Sequence, residues 1–229
     1  MSTYILALDT TTEACSVALM CNKDVLLENF IVSPGEHTIH ILSMIDSLLA
    51  KAEINLRKID ALAFGCGPGS FTGIRIGLGI AQGLALGANL PLLSISTLTV
   101  LAEGAWRKTG ISRVLTAIDA RMGEVYWATY QRHGSMWIGK EHELVVKSED
   151  VQSLESHLSG CWATAGTGWK TYPKLLHHKG LELIPGNALL PNARDMLPLA
   201  LDSYRDNKAQ HVSVAKPTYL RNKVASKIV

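Results

Sequence analysis

The chain has 229 residues, of which 47% are hydrophobic and 18% charged. That is the balance of a soluble globular protein of one large or two small domains, and it excludes a disordered chain. A net charge of +2, with no basic stripe, argues against binding nucleic acid through bulk charge.

Tyr4 to Leu8 is a short apolar run ending at Asp9, the pattern of a central strand. The start, "MSTYILALDTTTEACS", has no basic segment and reaches that Asp too soon for a signal peptide, so a cytoplasmic location is expected. Ser16 to Cys21 and Val25 to Val32 are split by the turn Asn22-Lys23-Asp24 and predict a hairpin. In "SPGEHTIHILSMIDSLLAKA", Pro34 and Gly35 break the strand, and Ile41, Met44, Ile45, Leu48 and Ala52 recur at helical spacing. Ala61 to Phe64 predicts a strand feeding the loop "GCGPGSFTGIR". Ile74 to Leu86 predicts a second helix, Leu92 to Ile95 a strand, and Thr97 to Trp106 a third helix. Arg75, Gln82, Asn89 and Pro91 interrupt the apolar stretch from Ile74 to Leu93, so no membrane span is expected. The order β-β-β-α-β-α-β-α implies a mixed sheet with helices on its faces.

The second half starts again. "LTAIDARMGEVYWATY" aligns without a gap on "ILALDTTTEACSVALM" at an offset of 110, with Asp119 on Asp9. Two related α/β halves are expected, 1–107 and 108–229, divided at the polar "WRKTGISR". Later, Ser148 to Leu158, Trp169 to His178 and Ala193 to Tyr204 read as helices and Leu181 to Ile184 as a strand. A late helix packing back on the first half is the alternative to a clean division. The end, with Lys216, Arg221, Lys223 and Lys227, reads as a solvated basic tail.

Several residues carry chemistry. In the glycine loop, Gly67, Gly69 and Gly73 permit a tight path, Ser70 or Thr72 can cap the helix, and Arg75 adds a charged fork. An anion could sit at that helix start. The loop lacks the lysine of a Walker A motif, so a structural turn is favoured on the loop alone. Asp9, Thr10, Thr11 and Thr12 could hold a metal-bound water and phosphate oxygens, or be a polar turn. Gly79, Gly83 and Gly87 share one helix face, and Gly73, Gly77 and Ala81 another, so one smooth face fits the sheet and the other a neighbouring helix. His37 and His40 stand three apart, where a helical zinc pair stands four apart, so exposed or capping roles are expected for them, and an exposed helix end for His177-His178. Cys15, Cys21, Cys66 and Cys161 form no metal or redox spacing and read as reduced, buried thiols. No metal site is expected.

"ALDTTTEACSVAL", "SPGEHTIHILSMIDSLL", "GPGSFTGIR", "GLGIAQGLAL", "AIDARMGEVYWATY" and "KPTYLRN" together resemble the bacterial TsaB (YeaZ) family over nearly the whole chain. "GPGSFTGIR" with the glycine-rich helix is the most specific part. The resemblance implies an actin-like/Hsp70-like ATPase (ASKHA) fold of two ribonuclease-H-like lobes. It implies a non-catalytic, activating subunit for making N6-threonylcarbamoyladenosine at position 37 of tRNAs that read codons beginning with adenosine. TsaD would be the direct, catalytic partner, TsaE a further member, and tRNA would be met through the complex. The paralogue's metal pair H-x-x-x-H is here His37 and His40, one residue short, and its late aspartate before Asn-Ala is here Pro191 before Asn192-Ala193. No cofactor is then required, and residual ATP or ADP binding would be weak. The family pattern puts the partner surface on two helices, with His37, Ile41, Met44, Ile45 and Leu48 on one and Ile74, Leu78 and Gln82 on the other. The same surface would pair two copies when TsaD is absent. The alternatives are a phosphotransferase or ATPase working through Asp9 and the loop from Gly67 to Gly73, and, ranked lower, a metallopeptidase.

Overall fold

A computed structural model describes residues 2–154, 156–177 and 180–221. The first sheet has the order β3-β2-β1-β4-β5. Its strands are β1 (Tyr4–Asp9), β2 (Ala14–Cys21), β3 (Asp24–Val32), β4 (Ala61–Gly65) and β5 (Leu92–Ile95). The first three are antiparallel, and β4 and β5 run parallel to β1. The two faces are covered differently because the residues alternate. Leu6, Leu8, Val17, Leu19, Leu62 and Phe64 pack with α1 (His37–Lys51) and α2 (Phe71–Ala88). Ala7, Ala18, Ala61 and Ala63 on the other face leave room for α6 (Ala193–Arg205) to lie close, through Met196, Leu197 and Ala200.

The second sheet has the order β11-β10-β6-β7-β8, with β9 also on β7. Its strands are β6 (Arg113–Arg121), β7 (Glu124–His133), β8 (Met136–Ile138), β9 (Leu144–Lys147), β10 (Gly160–Ala165) and β11 (Leu181–Ala188). It repeats the first sheet's topology: β6 and β7 are antiparallel, and β10 and β11 run parallel to β6. One face is covered by α3 (Thr97–Thr109), through Leu98, Leu101, Ala102 and Ala105. The other is filled by Trp127, Trp162, Trp169 and Leu175, with the short α4 (Val151–Leu154) and α5 (Gly168–Thr171).

The two long helices that follow the sheets are exchanged. α3 follows the first sheet in sequence and packs on β6, β10 and β11, whereas α6 follows the second and packs on β1, β2, β4 and β5. α3 and α6 also pack on each other. A boundary at 107/108 therefore falls inside α3. Ser96 caps α3 by accepting from Leu98 N, and Asn192 caps α6 by accepting from Arg194 N.

Some elements differ from the sequence reading. The helix read from Trp169 to His178 is α5 followed by a 3-10 turn, Pro173–Leu176, because Pro173 has no N–H to continue an α-helix. The helix read from Ser148 to Leu158 is reduced to α4. His178, Lys223 and Lys227 lie outside the described residues. Arg221 is not a free tail residue, since its guanidinium donates to Ala120 O and pairs with Glu124.

Candidate functional site

Residues 9–12, the glycine loop and the start of α3 meet at the carboxyl ends of β1, β4 and β5. Thr97 Oγ1 donates to Thr11 Oγ1 at 3.1 Å. Ser70 N donates to Thr11 O at 2.7 Å, and Thr10 Oγ1 donates to Gly73 O at 2.7 Å. The loop thus lies directly on the threonine turn. This contact explains why glycine occupies three positions. A Cβ on Gly69 would stand 2.2 Å from Thr11 O, one on Gly73 2.1 Å from Thr10 O, and one on Gly65 2.1 Å from Asp9 Oδ2. Gly67 has φ +102°, which only glycine adopts freely.

A phosphate held between turn and loop would need space there and free amides at the helix start. The space is filled by contact, Ser70 N is taken by Thr11 O, and Gly73 N donates to the capping Ser70 Oγ at 3.2 Å. Arg75 points elsewhere: Nε donates to Tyr219 OH at 3.0 Å, and the guanidinium lies 3.6 Å over the Phe71 ring. Thr72 is exposed on the first turn of α2, and Thr12 Oγ1 accepts from Ala14 N at 3.4 Å.

Asp9 is fully buried. Its Oδ1 accepts from Thr11 N at 2.9 Å and from Thr11 Oγ1 at 2.8 Å, while Oδ2 has no partner and rests over Gly65. Burial raises the carboxyl to about 6, against the opposing pull of the two Thr11 bonds. His37, read as an exposed or capping residue, is buried, its Nδ1 has no partner, and burial holds its imidazole below the ordinary pKa. His40 instead pairs with Glu36, 3.4 Å away. No group of three or more His, Cys, Asp or Glu is placed to hold a metal ion among the described residues. All four cysteines are free thiols; Cys15 and Cys66 are buried as expected, whereas Cys21 and Cys161 are only half-buried.

The helix faces need a correction. Ile41, Met44, Ile45, Leu48 and Ile74, read as partner contacts, are buried in the chain's own core. Leu78 is packed against that core, and Gln82 Nε2 donates to the carbonyls of Val212 and Ala215. The regular helical stripe is apolar because it faces the sheet. The large apolar side chains that remain exposed are Ile39 (68%) and Leu42 (50%) on α1, and Phe71 (50%) and Leu86 (73%) on α2. Gly79, Gly83 and Gly87 have nothing within 4 Å of a Cβ position, whereas Gly73 and Gly77 lie on Thr10. α2 is long and apolar enough to cross a membrane by length and composition, and it packs on β1, β4 and β5. Sequence reasoning passed over Ile39 and Leu42. Their signal was a second apolar pair, three apart and off the main stripe.

Residues 32–227 match the model of the TsaD family, described as tRNA N6-adenosine threonylcarbamoyltransferase. A relative from Escherichia coli (strain K12), named tRNA threonylcarbamoyladenosine biosynthesis protein TsaB, is 54% identical over 97% of this chain and 96% of its own length. The chain belongs to the TsaB family. A TsaB from Haemophilus influenzae is 41% identical over 97% of this chain and 95% of its own length. The solved structure of YeaZ from Pseudomonas aeruginosa is 40% identical, covers 95% of this chain and 100% of its own, and superposes with a TM-score of 0.86. The fold is the actin-like (ASKHA) one, two mixed sheets of shared topology flanked by helices.

Proposed function

We propose that this chain is the non-catalytic, activating subunit for threonylcarbamoyl transfer to adenosine 37 of tRNAs reading codons that begin with adenosine, working in the cytoplasm beside TsaD and TsaE. The relatives' name, tRNA threonylcarbamoyladenosine biosynthesis protein, supports the pathway. One observation carries the division of labour: Gly69 and Gly73 rest on the carbonyls of Thr11 and Thr10, so the loop that would cradle a phosphate is closed upon its own turn. The chemistry then belongs to the partner, and this chain contributes surface.

That surface is the outer face of α1 and α2. Ile39, Leu42 and Leu86 are apolar and exposed, and the open stripe of Gly79, Gly83 and Gly87 lets another backbone approach closely. Apolar patches of this kind mark interaction sites. TsaD is the occupant, and a second copy takes its place, face to face, when the chain is alone. Leu42→Arg tests this in a titration of purified TsaD. Affinity is expected to fall at least about tenfold, the cost of a charge placed in an apolar contact. Unchanged affinity would move the interface elsewhere.

The partnerless Asp9 Oδ2 favours one second reading, an ATPase or phosphotransferase acting through residues 9–12 and the loop. Calorimetric titration of the isolated chain with ATP and magnesium separates the two. Saturable heat that Asp9→Asn abolishes would support the second reading.

A further inference from the structure

Beyond α6 the chain turns back across the first sheet. Gln210 N donates to Leu92 O at 2.8 Å and Leu92 N to Gln210 O at 2.9 Å, which adds a bridge at the edge of β5. Gln82 of α2 holds the carbonyls of Val212 and Ala215, and Ala215 is buried in the core below. Thr218 N then donates to Cys66 O at 2.7 Å, just past the end of β4. Thr218 O would stand 2.8 Å from a Cβ on Gly67, so the segment presses on the glycine loop itself. Tyr219 OH accepts from Arg75, and the Tyr219 and Phe71 rings lie 5.7 Å apart.

Three residues after Thr218 the chain has reached the other sheet. Arg221 Nη2 donates to Ala120 O at 2.9 Å and pairs with Glu124, on either side of the turn between β6 and β7. Three residues of chain, at most about 10 Å, together with the Arg221 side chain bridge the loop after β4 and the turn after β6. The turn is a demanding one: Arg121 and Met122, both with side chains, have φ of +65° and +57°. It is fixed from several sides, by Asp119 Oδ1 accepting from Arg121 N, by Ser148 N donating to Gly123 O, and by Arg221.

We propose that residues 216–221 form a strap that fastens the turn between β6 and β7 to the glycine loop, with Arg221 and Glu124 as its clasp. α3 and α6 join the two sheets by packing, and the strap joins them by hydrogen bonds at the ends of β4 and β6. Its middle, Tyr219, is held by Arg75 on the first turn of α2. Movement at that turn therefore reaches the second sheet through three residues of chain. A ligand that draws Arg75 away from Tyr219 loosens the clasp, and one that orders Tyr219 tightens it.

The test places the change in one sheet and reads the other. Glu124→Gln removes the clasp's charge and leaves the strap's own sequence intact, and Arg221→Ala removes the other half. The reporter is the Thr218 amide, whose acceptor lies beside β4, followed by NMR hydrogen exchange on the full chain. Both variants should exchange this amide about tenfold faster or more, as expected for loss of a hydrogen bond between charged groups. The amides of Leu6 and Leu62, inside the first sheet, should keep their wild-type rates. The proposal requires that pattern in both variants. An unchanged Thr218 amide in either one overturns it, because the strap would then be held without its clasp. Faster exchange at Leu6 and Leu62 as well also overturns it, because the pair would then be an ordinary contribution to global stability.

Discussion

Asp9 has one oxygen held twice by Thr11 and another held by nothing, with no exposure to water. Its folded-state pKa, about 6, lies above the ordinary 3.8. The folded chain therefore binds a proton between about pH 4 and 6 that the unfolded chain has already lost, so Asp9 weakens the fold as pH rises through that window. Its cost is complete above about pH 6, where the shift corresponds to about 3 kcal/mol. Asp9→Asn removes the titration. Urea unfolding should show the variant gaining on the wild type between pH 4 and 6.5, then holding a constant difference. A difference independent of pH would mean that the carboxyl is solvated. The sequence made Asp9 stand out as the residue closing a strand, and Asp119 closes its counterpart with the same bond, Oδ1 accepting from the amide two residues on. Burial was the hidden part, because it comes from the loop at 65–73 closing over the turn, a contact between segments about 60 residues apart.

Within α2 the glycines ask for opposite things. Gly73 lies on Thr10 O and Gly83 faces open space. Gly73→Ala forces the loop off the turn and should cost about 1–3 kcal/mol in urea unfolding. Gly83→Ala meets nothing and should add about 0.5–1 kcal/mol by stiffening the helix. Equal effects would show that the loop does not rest on the turn. The sequence sorted these glycines into two faces by spacing alone, because a helix repeats every 3.6 residues whatever it packs against. The same periodicity misled for α1. Ile41, Met44, Ile45 and Leu48 form the regular stripe, and a regular stripe faces the chain's own sheet. The outer face had to be read from Ile39 and Leu42, which break the stripe. The strands β8 and β10 went unread: β8 has only three residues, and β10 mixes small and polar residues where the short strands that were read are continuous apolar runs.

In the whole molecule, two sheets of one topology stand 110 residues apart in sequence and exchange their last long helices. The repeat was legible because strand and Asp recur together at one offset. Half of the exchange was expected, as a late helix packing back on the first half; that α3 crosses the other way was not, because an amphipathic helix declares that it has an apolar face and not which sheet that face will meet. Exchange makes each sheet's cover depend on the other half of the chain, so the halves are tied at α3, at α6 and at the strap. On this frame the closed loop and the outer face of α1 and α2 have separate roles, and one experiment weighs them against each other. It is the initial rate of threonylcarbamoyl transfer to tRNA, with purified TsaD, TsaE, threonylcarbamoyl-adenylate and ATP, using wild-type chain, Asp9→Asn and Leu42→Arg, each first shown to be folded. The expected result is a rate within about threefold of wild type for Asp9→Asn and a fall of about tenfold or more for Leu42→Arg. Loss with Asp9→Asn and full activity with Leu42→Arg would contradict this account and make the glycine loop a working site.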